Sequence, residues 1–125
     1  MCGIIGFFGF PDAYQKAAKG LEVMKNRGLD GVGFADEKQT VIQKSVEEKK
    51  QILKGKNVIG HCLHAIVNFV PQPLESKQSK FVINGEIYNW KFLNEKYKLG
   101  GRNDSEAVFK LFEKNKIADL PKVLE

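Results

Sequence analysis

Arginine is nearly absent from this chain. Of its 20 basic residues only Arg27 and Arg102 are arginine, and the rest are lysine. A nucleic-acid surface usually clusters its cations and includes arginine, whose planar guanidinium makes bidentate contacts to phosphates and bases. Here lysines run from Lys16 to Lys122, and the densest stretch, Glu47 to Lys56, has acids mixed in. The net charge of +5 therefore describes a solvated surface. Cysteine is also scarce. Cys2 and Cys62 cannot form a disulfide framework, and in a reducing compartment both are thiols. No apolar run approaches the roughly 18 residues that span a bilayer. The opening MCGIIGFFGF lacks a basic leader and a small-residue cleavage site, so no signal peptide is expected there. A cytoplasmic location is expected, with no membrane or nucleic-acid partner. Internal repeats and low-complexity segments are lacking too.

What is present fits one domain with its own core. The 125 residues are 42% apolar, 28% charged and 10% aromatic, an ordinary soluble composition. The run GIIGFF over 3–8 is β-branched, aromatic and bounded by glycine, so it reads as a buried strand. Pro11-Asp12 opens a helix that Asp12 can cap, with Ala13, Ala17, Leu21 and Met24 at helical spacing and a stop near 26–28. GVGFAD (31–36) and TVIQKSV (40–46) read as a hairpin joined by a polar turn. VIGHCLHAIV (58–67) is a further strand. The prolines of NFVPQPLESKQS exclude regular structure there. KFVINGEIYN (80–89) reads as a strand, a glycine break, then strand or turn. A helix begins within 89–97. Asn103 or Asp104 caps another, on which Ala107, Val108, Leu111 and Phe112 form a stripe. Strands in hairpin-like pairs with helices between them predict an α+β domain with antiparallel sheet.

Two positions invite chemistry. Cys2 follows a removable methionine, so processing would place a thiol and a free α-amine on one residue. Such an amine titrates near 7.7–8.0 in model peptides and can take the thiol's proton, leaving the attacking thiolate. Equally, a small cysteine can simply fill an edge strand. Asn84-Gly85 after a strand is ordinarily a turn. The same pair also offers a side-chain amide donor beside an unhindered backbone N–H, the components of an oxyanion hole. Glu86 is either a surface acid or, beside those donors, a receptor for an ammonium group.

Together these segments resemble a known family. MCGIIGFFG, NRGLDGVGF, GHCLHAIVNFVPQPL, FVINGEIYNW and NDSEAVFKLFE stand in the order and spacing of the class II glutamine amidotransferases, and are most similar to the glutaminase domain of asparagine synthetase. The resemblance covers essentially residues 1–125, taken as one type 2 amidotransferase domain. It implies the N-terminal-nucleophile hydrolase fold, an αββα sandwich of antiparallel sheets, here at least in its first portion. It further implies that Cys2 attacks the glutamine side-chain amide to form a thioester. Asn84 and the Gly85 N–H then hold the oxyanion, Glu86 and Asp104 bind the substrate α-amine, and the Ile66 backbone lines the pocket. Ammonia passes to a synthetase domain or subunit, which would use ATP and magnesium. No cofactor is expected in this chain, and a homodimer is compatible with the family.

Departures from the family pattern are specific. Its G-H-x-R arginine, which pairs with the substrate α-carboxylate, is Leu63 here, followed by His64. Leucine makes no bidentate contact. His64 is the candidate substitute, although adjacent strand residues face opposite sides. R-G-P-D reads Arg27-Gly28-Leu29-Asp30. A zinc site from Cys2, His61, Cys62 and His64 fits no familiar spacing and is not expected. The family's further strands after a segment like 117–125, and the S-G-G-x-D-S loop of the synthetase half, are not in this sequence, and a fragment of a longer protein is the favoured explanation. Two other functions stay open: a non-catalytic binding or regulatory module of the same fold, and a basic interaction domain.

Overall fold

The computed structural model describes residues 1–48, 51–65, 68–114 and 117–124, in two compact units divided after Asn84. The first unit carries a four-stranded sheet in the order β1-β4-β2-β3. Its strands are β1 (Gly3–Phe7), β2 (Gly31–Ala35), β3 (Thr40–Gln43) and β4 (Val58–Leu63). Every pairing is antiparallel, with Gly3 opposite Cys62, Phe34 opposite Gly60 and Val32 opposite Gln43. The β2–β3 hairpin is the one that two strand-like runs joined by a polar turn predict. Asp36 closes its turn, its Oδ1 accepting the N–H groups of Lys38 and Gln39 at 2.9 Å each.

One face of the sheet is covered by α1 (Ala13–Val23). Ala13, Ala17 and Leu21 recur at i, i+4 and i+8 and are buried, with Met24 packed against the same cluster. On the sheet side Phe34, Val58 and Cys62 are buried, and the Phe34 ring meets Tyr14 edge-on at 5.1 Å. Asp12 stands at the helix start but makes no side-chain cap bond, and instead pairs with Lys16 at 3.0 Å. Alternation along β4 directs His61 to the opposite face from Cys62.

The proline-bearing segment is more ordered than its composition predicts. Leu74–Glu75 form β5, which pairs antiparallel with β6 (Lys80–Phe81). The two-residue strand starts immediately after Pro73, so the residue without an N–H precedes the ladder and removes nothing from it. After β6 the chain leaves sheet geometry, and Ile83 N–H donates to Gln72 Oε1 at 2.8 Å. The expected strand therefore ends well before Asn84.

The second unit holds α2 (Trp90–Lys96) and α3 (Asp104–Lys114), followed by a 3₁₀ segment, Ile117–Lys122. Leu93, Leu99, Ala107, Leu111 and Leu120 form its core. Of the two candidate caps for α3, Asn103 is the one used: its Oδ1 accepts Glu106 N–H at 2.9 Å. Glu106 reaches back to Arg102 N–H at 2.8 Å, one residue before the cap, in a variant of the capping box. The antiparallel sheet, the helix on its face and the separate β5–β6 ribbon make an α+β fold. Among the described residues no helix is long and apolar enough to cross a membrane.

Candidate active site

Cys2 lies at the start of β1, half-buried, just outside the Gly3–Cys62 pairing. Its Sγ accepts the backbone N–H of His64 at 3.3 Å and lies 3.6 Å from the His64 carbonyl oxygen. The thiol is thus held against the main chain just beyond β4. On the other side, Arg27 Nε–H donates to the Cys2 carbonyl at 3.2 Å. Met1 is exposed, so its removal uncovers the Cys2 amine without disturbing a packed side chain.

The turn after α1 supplies the rest of this cluster. Gly28 lies against the end of β4, where an added Cβ would collide with the Leu63 carbonyl. That close approach requires glycine whatever the backbone angles. Two residues later Asp30 N–H donates to Leu63 O at 3.0 Å, and Asp30 Oδ2 accepts Ala65 N–H at 2.8 Å. The same oxygen lies 3.7 Å from His64 Nδ1. His64 and Asp30 are both about half exposed, with side-chain exposures of 52% and 44%. β4 ends at Leu63, so the alternation argument against His64 does not apply. His64 stands beyond the strand, beside Cys2. Leu63 is buried at 6% exposure and presents no polar atom of its side chain.

The remaining sequence candidates fall as follows. Asn84 is exposed and ends the first unit, whereas Gly85 and Glu86, also exposed, open the second. Asp104 Oδ2 accepts Ile87 N–H at 3.2 Å, and its Oδ1 accepts Ser105 N–H at 2.8 Å. Asp104 is thereby tied to the NGEIYN segment, with about half of a carboxylate's four acceptor positions used by those two bonds. Ile66 lies outside the described residues. Of the two arginines, Arg102 is engaged by Glu106 at 2.6 Å, which raises the guanidinium pKa and lowers that of the carboxyl.

The metal ligand set is not assembled. Cys62 Sγ faces the core and lies 3.7 Å from the Met24 carbonyl, and burial pushes its thiol up. His61 is fully buried on the other face of the sheet. Neither ring nitrogen reaches a partner at good hydrogen-bonding geometry. Burial depresses its pKa to about 4, offset only slightly by a looser interaction with the Ile83 backbone. Among the described residues no three His, Cys, Asp or Glu side chains are placed to hold a metal ion. Sequence reasoning gave no role to Asp30, although the RGLD spacing was the available signal.

Residues 39–122 match the glutamine amidotransferase domain family. The chain is similar to the glutamine–fructose-6-phosphate aminotransferase (isomerizing) of Bacillus thuringiensis, 33% identical over 90% of this chain and 22% of that protein. The Staphylococcus aureus enzyme of the same name is 29% identical over the same shares. This chain thus spans about a fifth of these relatives. Two solved structures share its fold across 100% of this chain and 33% of theirs, each at 21% identity. They are the glutamine phosphoribosylpyrophosphate amidotransferase from B. subtilis, at a TM-score of 0.80, and an allosteric regulatory enzyme of purine biosynthesis, at 0.77. The family match covers about two thirds of the chain, and this chain belongs to the glutamine amidotransferase domain family.

Proposed function

We propose that Cys2, freed of Met1, hydrolyses the side-chain amide of glutamine and supplies the ammonia to a second catalytic domain. The observation that carries this is the anchoring of Cys2, with its carbonyl bound by Arg27 and its sulfur by the His64 N–H. The α-amine takes the thiol proton, and the thiolate attacks the amide carbon. As the tetrahedral intermediate collapses, the C–N bond breaks and that proton leaves with ammonia. Water then cleaves the thioester, giving glutamate and the free thiol. Asn84 and Gly85 are proposed to hold the oxyanion, and Glu86 and Asp104 the substrate α-amine. The His64 imidazole takes the α-carboxylate where the family's arginine is replaced by Leu63.

The acceptor is a synthetase-type domain in the cytoplasm, and any need for ATP and magnesium belongs there. The sequence motifs favour an asparagine-synthetase-like acceptor, whereas the 33% relatives act on fructose 6-phosphate, as their name states. A diazo-ketone analogue of glutamine tests the reading. It should add once, to Cys2, and mass spectrometry locates the adduct. Absence of any adduct in Met1-free protein would leave a non-catalytic module instead.

A further inference from the structure

We infer that Asp30 is a positioning residue for the nucleophile, acting through the main chain of His64. The inference rests on reading Cys2 as the reactive thiol. Asp30 brackets His64: its N–H binds the carbonyl of Leu63, and its carboxylate binds the N–H of Ala65. Between those two anchors, the His64 N–H points at Cys2 Sγ. β4 ends at Leu63, so beyond it no strand ladder fixes this N–H. Asp30 supplies the missing constraint.

The consequence concerns the thiolate. A hydrogen bond to a charged acceptor is stronger than one to a neutral group. The His64 N–H therefore favours the ionised sulfur more than the thiol, provided it stays aimed. Releasing Ala65 lets the main chain at 64–65 turn away, and the sulfur loses its donor. The role needs an acceptor oxygen at that spot and does not need negative charge, which separates it from an ion pair with His64. The same turn carries Arg27, whose grip on the Cys2 carbonyl fixes the other side of the residue. The R-G-x-D segment is in this view a clamp on the N-terminal residue, with Gly28 allowing it to lie flush against β4.

Alkylation by iodoacetamide tests this without glutamine. The reagent is neutral and does not depend on substrate recognition. In the full chain, Met1-free, Asp30→Ala should slow alkylation of Cys2 about tenfold or more, the worth of one hydrogen bond to a charged group. Asp30→Asn, which keeps an oxygen in place, should stay within about threefold of wild type. Asp30→Glu keeps the charge but displaces the carboxylate by a methylene, and should be slow. Buried Cys62 reports folding, because it reacts only if the variant opens. If Asp30→Ala unfolds, the Asn and Glu variants still decide the matter. A wild-type rate in Asp30→Ala or Asp30→Glu, or a slow Asp30→Asn, would overturn the clamp and leave glutamine hydrolysis unaffected. Normal clamp behaviour in a chain that never hydrolyses glutamine would overturn the proposed function alone.

Discussion

Gly3 and Cys62 face each other across the β1–β4 pair so closely that a Cβ on Gly3 would sit 2.7 Å from Cys62 Sγ. The sulfur fills the space that a side chain at Gly3 would need, one residue from the proposed nucleophile. Gly3→Ala is expected to destabilise the fold by about 1–3 kcal/mol through overpacking. Cys62→Ala removes the colliding atom, and the next nearest contact, at Met24, is an ordinary 3.6 Å. The double variant should therefore be more stable than Gly3→Ala alone. Urea titration of the four proteins measures the coupling, and additive effects would mean that the strand moves apart instead.

The two thiols should divide cleanly between chemistry and packing. Cys2→Ala is expected to abolish glutamine hydrolysis with little change in stability. Cys62→Ala should keep most of the turnover and lose about 1–2 kcal/mol from the core. Protein that retains Met1 should resemble Cys2→Ala, because its Cys2 nitrogen is an amide and cannot accept a proton. Intact mass and a glutaminase assay check both; full turnover by Met1-retaining protein would sink the mechanism.

His61 is expected to make the first unit acid-sensitive above the carboxylate range. Its folded pKa of about 4 lies below the unfolded value near 6.5. Well above pH 6.5 both states are neutral and stability is complete. As pH falls below 6.5 the unfolded chain takes up the proton and the folded chain does not. Stability should drop until about pH 4, by about 3 kcal/mol at most. Asp36, whose carboxyl burial would raise but the N–H groups of Lys38, Gln39 and Gly55 help to lower on balance, loses its contribution at lower pH still. His61→Leu should flatten the curve between pH 6.5 and 4 in denaturant titrations; an unchanged curve would mean that the ring is solvated.

The elements set by local pattern were legible in the sequence. The i, i+4, i+8 spacing of Ala13, Ala17 and Leu21 fixes α1, and a polar turn between two strand-like runs fixes the β2–β3 hairpin. β5 was hidden because Pro71 and Pro73 signal a break, while nothing local shows that the ladder begins after the second ring. The strand end at Leu63 was equally hidden, since His64, Ala65 and the residues after them keep a strand-like composition. Cys2 was legible by its position and the NGEIYN motif by its resemblance. Asp30 was not, because its partners Leu63, His64 and Ala65 lie more than thirty positions away in the chain.

Asn84 should matter to the transition state and little to binding. If its amide donates to the oxyanion, Asn84→Ala lowers kcat by about a hundred- to a thousandfold. KM should stay within a few-fold, since charge develops only after binding. A change confined to KM would make Asn84 a turn residue only.

The last expectation concerns recognition of the substrate carboxylate. Leu63 is buried and cannot serve, and Arg102 is held by Glu106. His64 is exposed, close to the Cys2 sulfur, and clear of the strand. Removing a group that binds substrate and transition state alike raises KM and spares kcat. His64→Ala is therefore expected to raise KM for glutamine about tenfold or more while kcat changes little, as loss of one charge-assisted hydrogen bond requires. Leu63→Arg tests the same site from the other side. It restores the family's arginine but puts a guanidinium in an apolar position, so it should destabilise the free protein by several kcal/mol, roughly. Bound glutamine would partner that charge, so ligand should raise the Tm of Leu63→Arg more than that of wild type. Steady-state kinetics and thermal shift with and without glutamine read both effects. If His64→Ala leaves KM unchanged and glutamine fails to rescue Leu63→Arg, the carboxylate is held elsewhere, and Arg27, which already touches Cys2, becomes the residue to replace next.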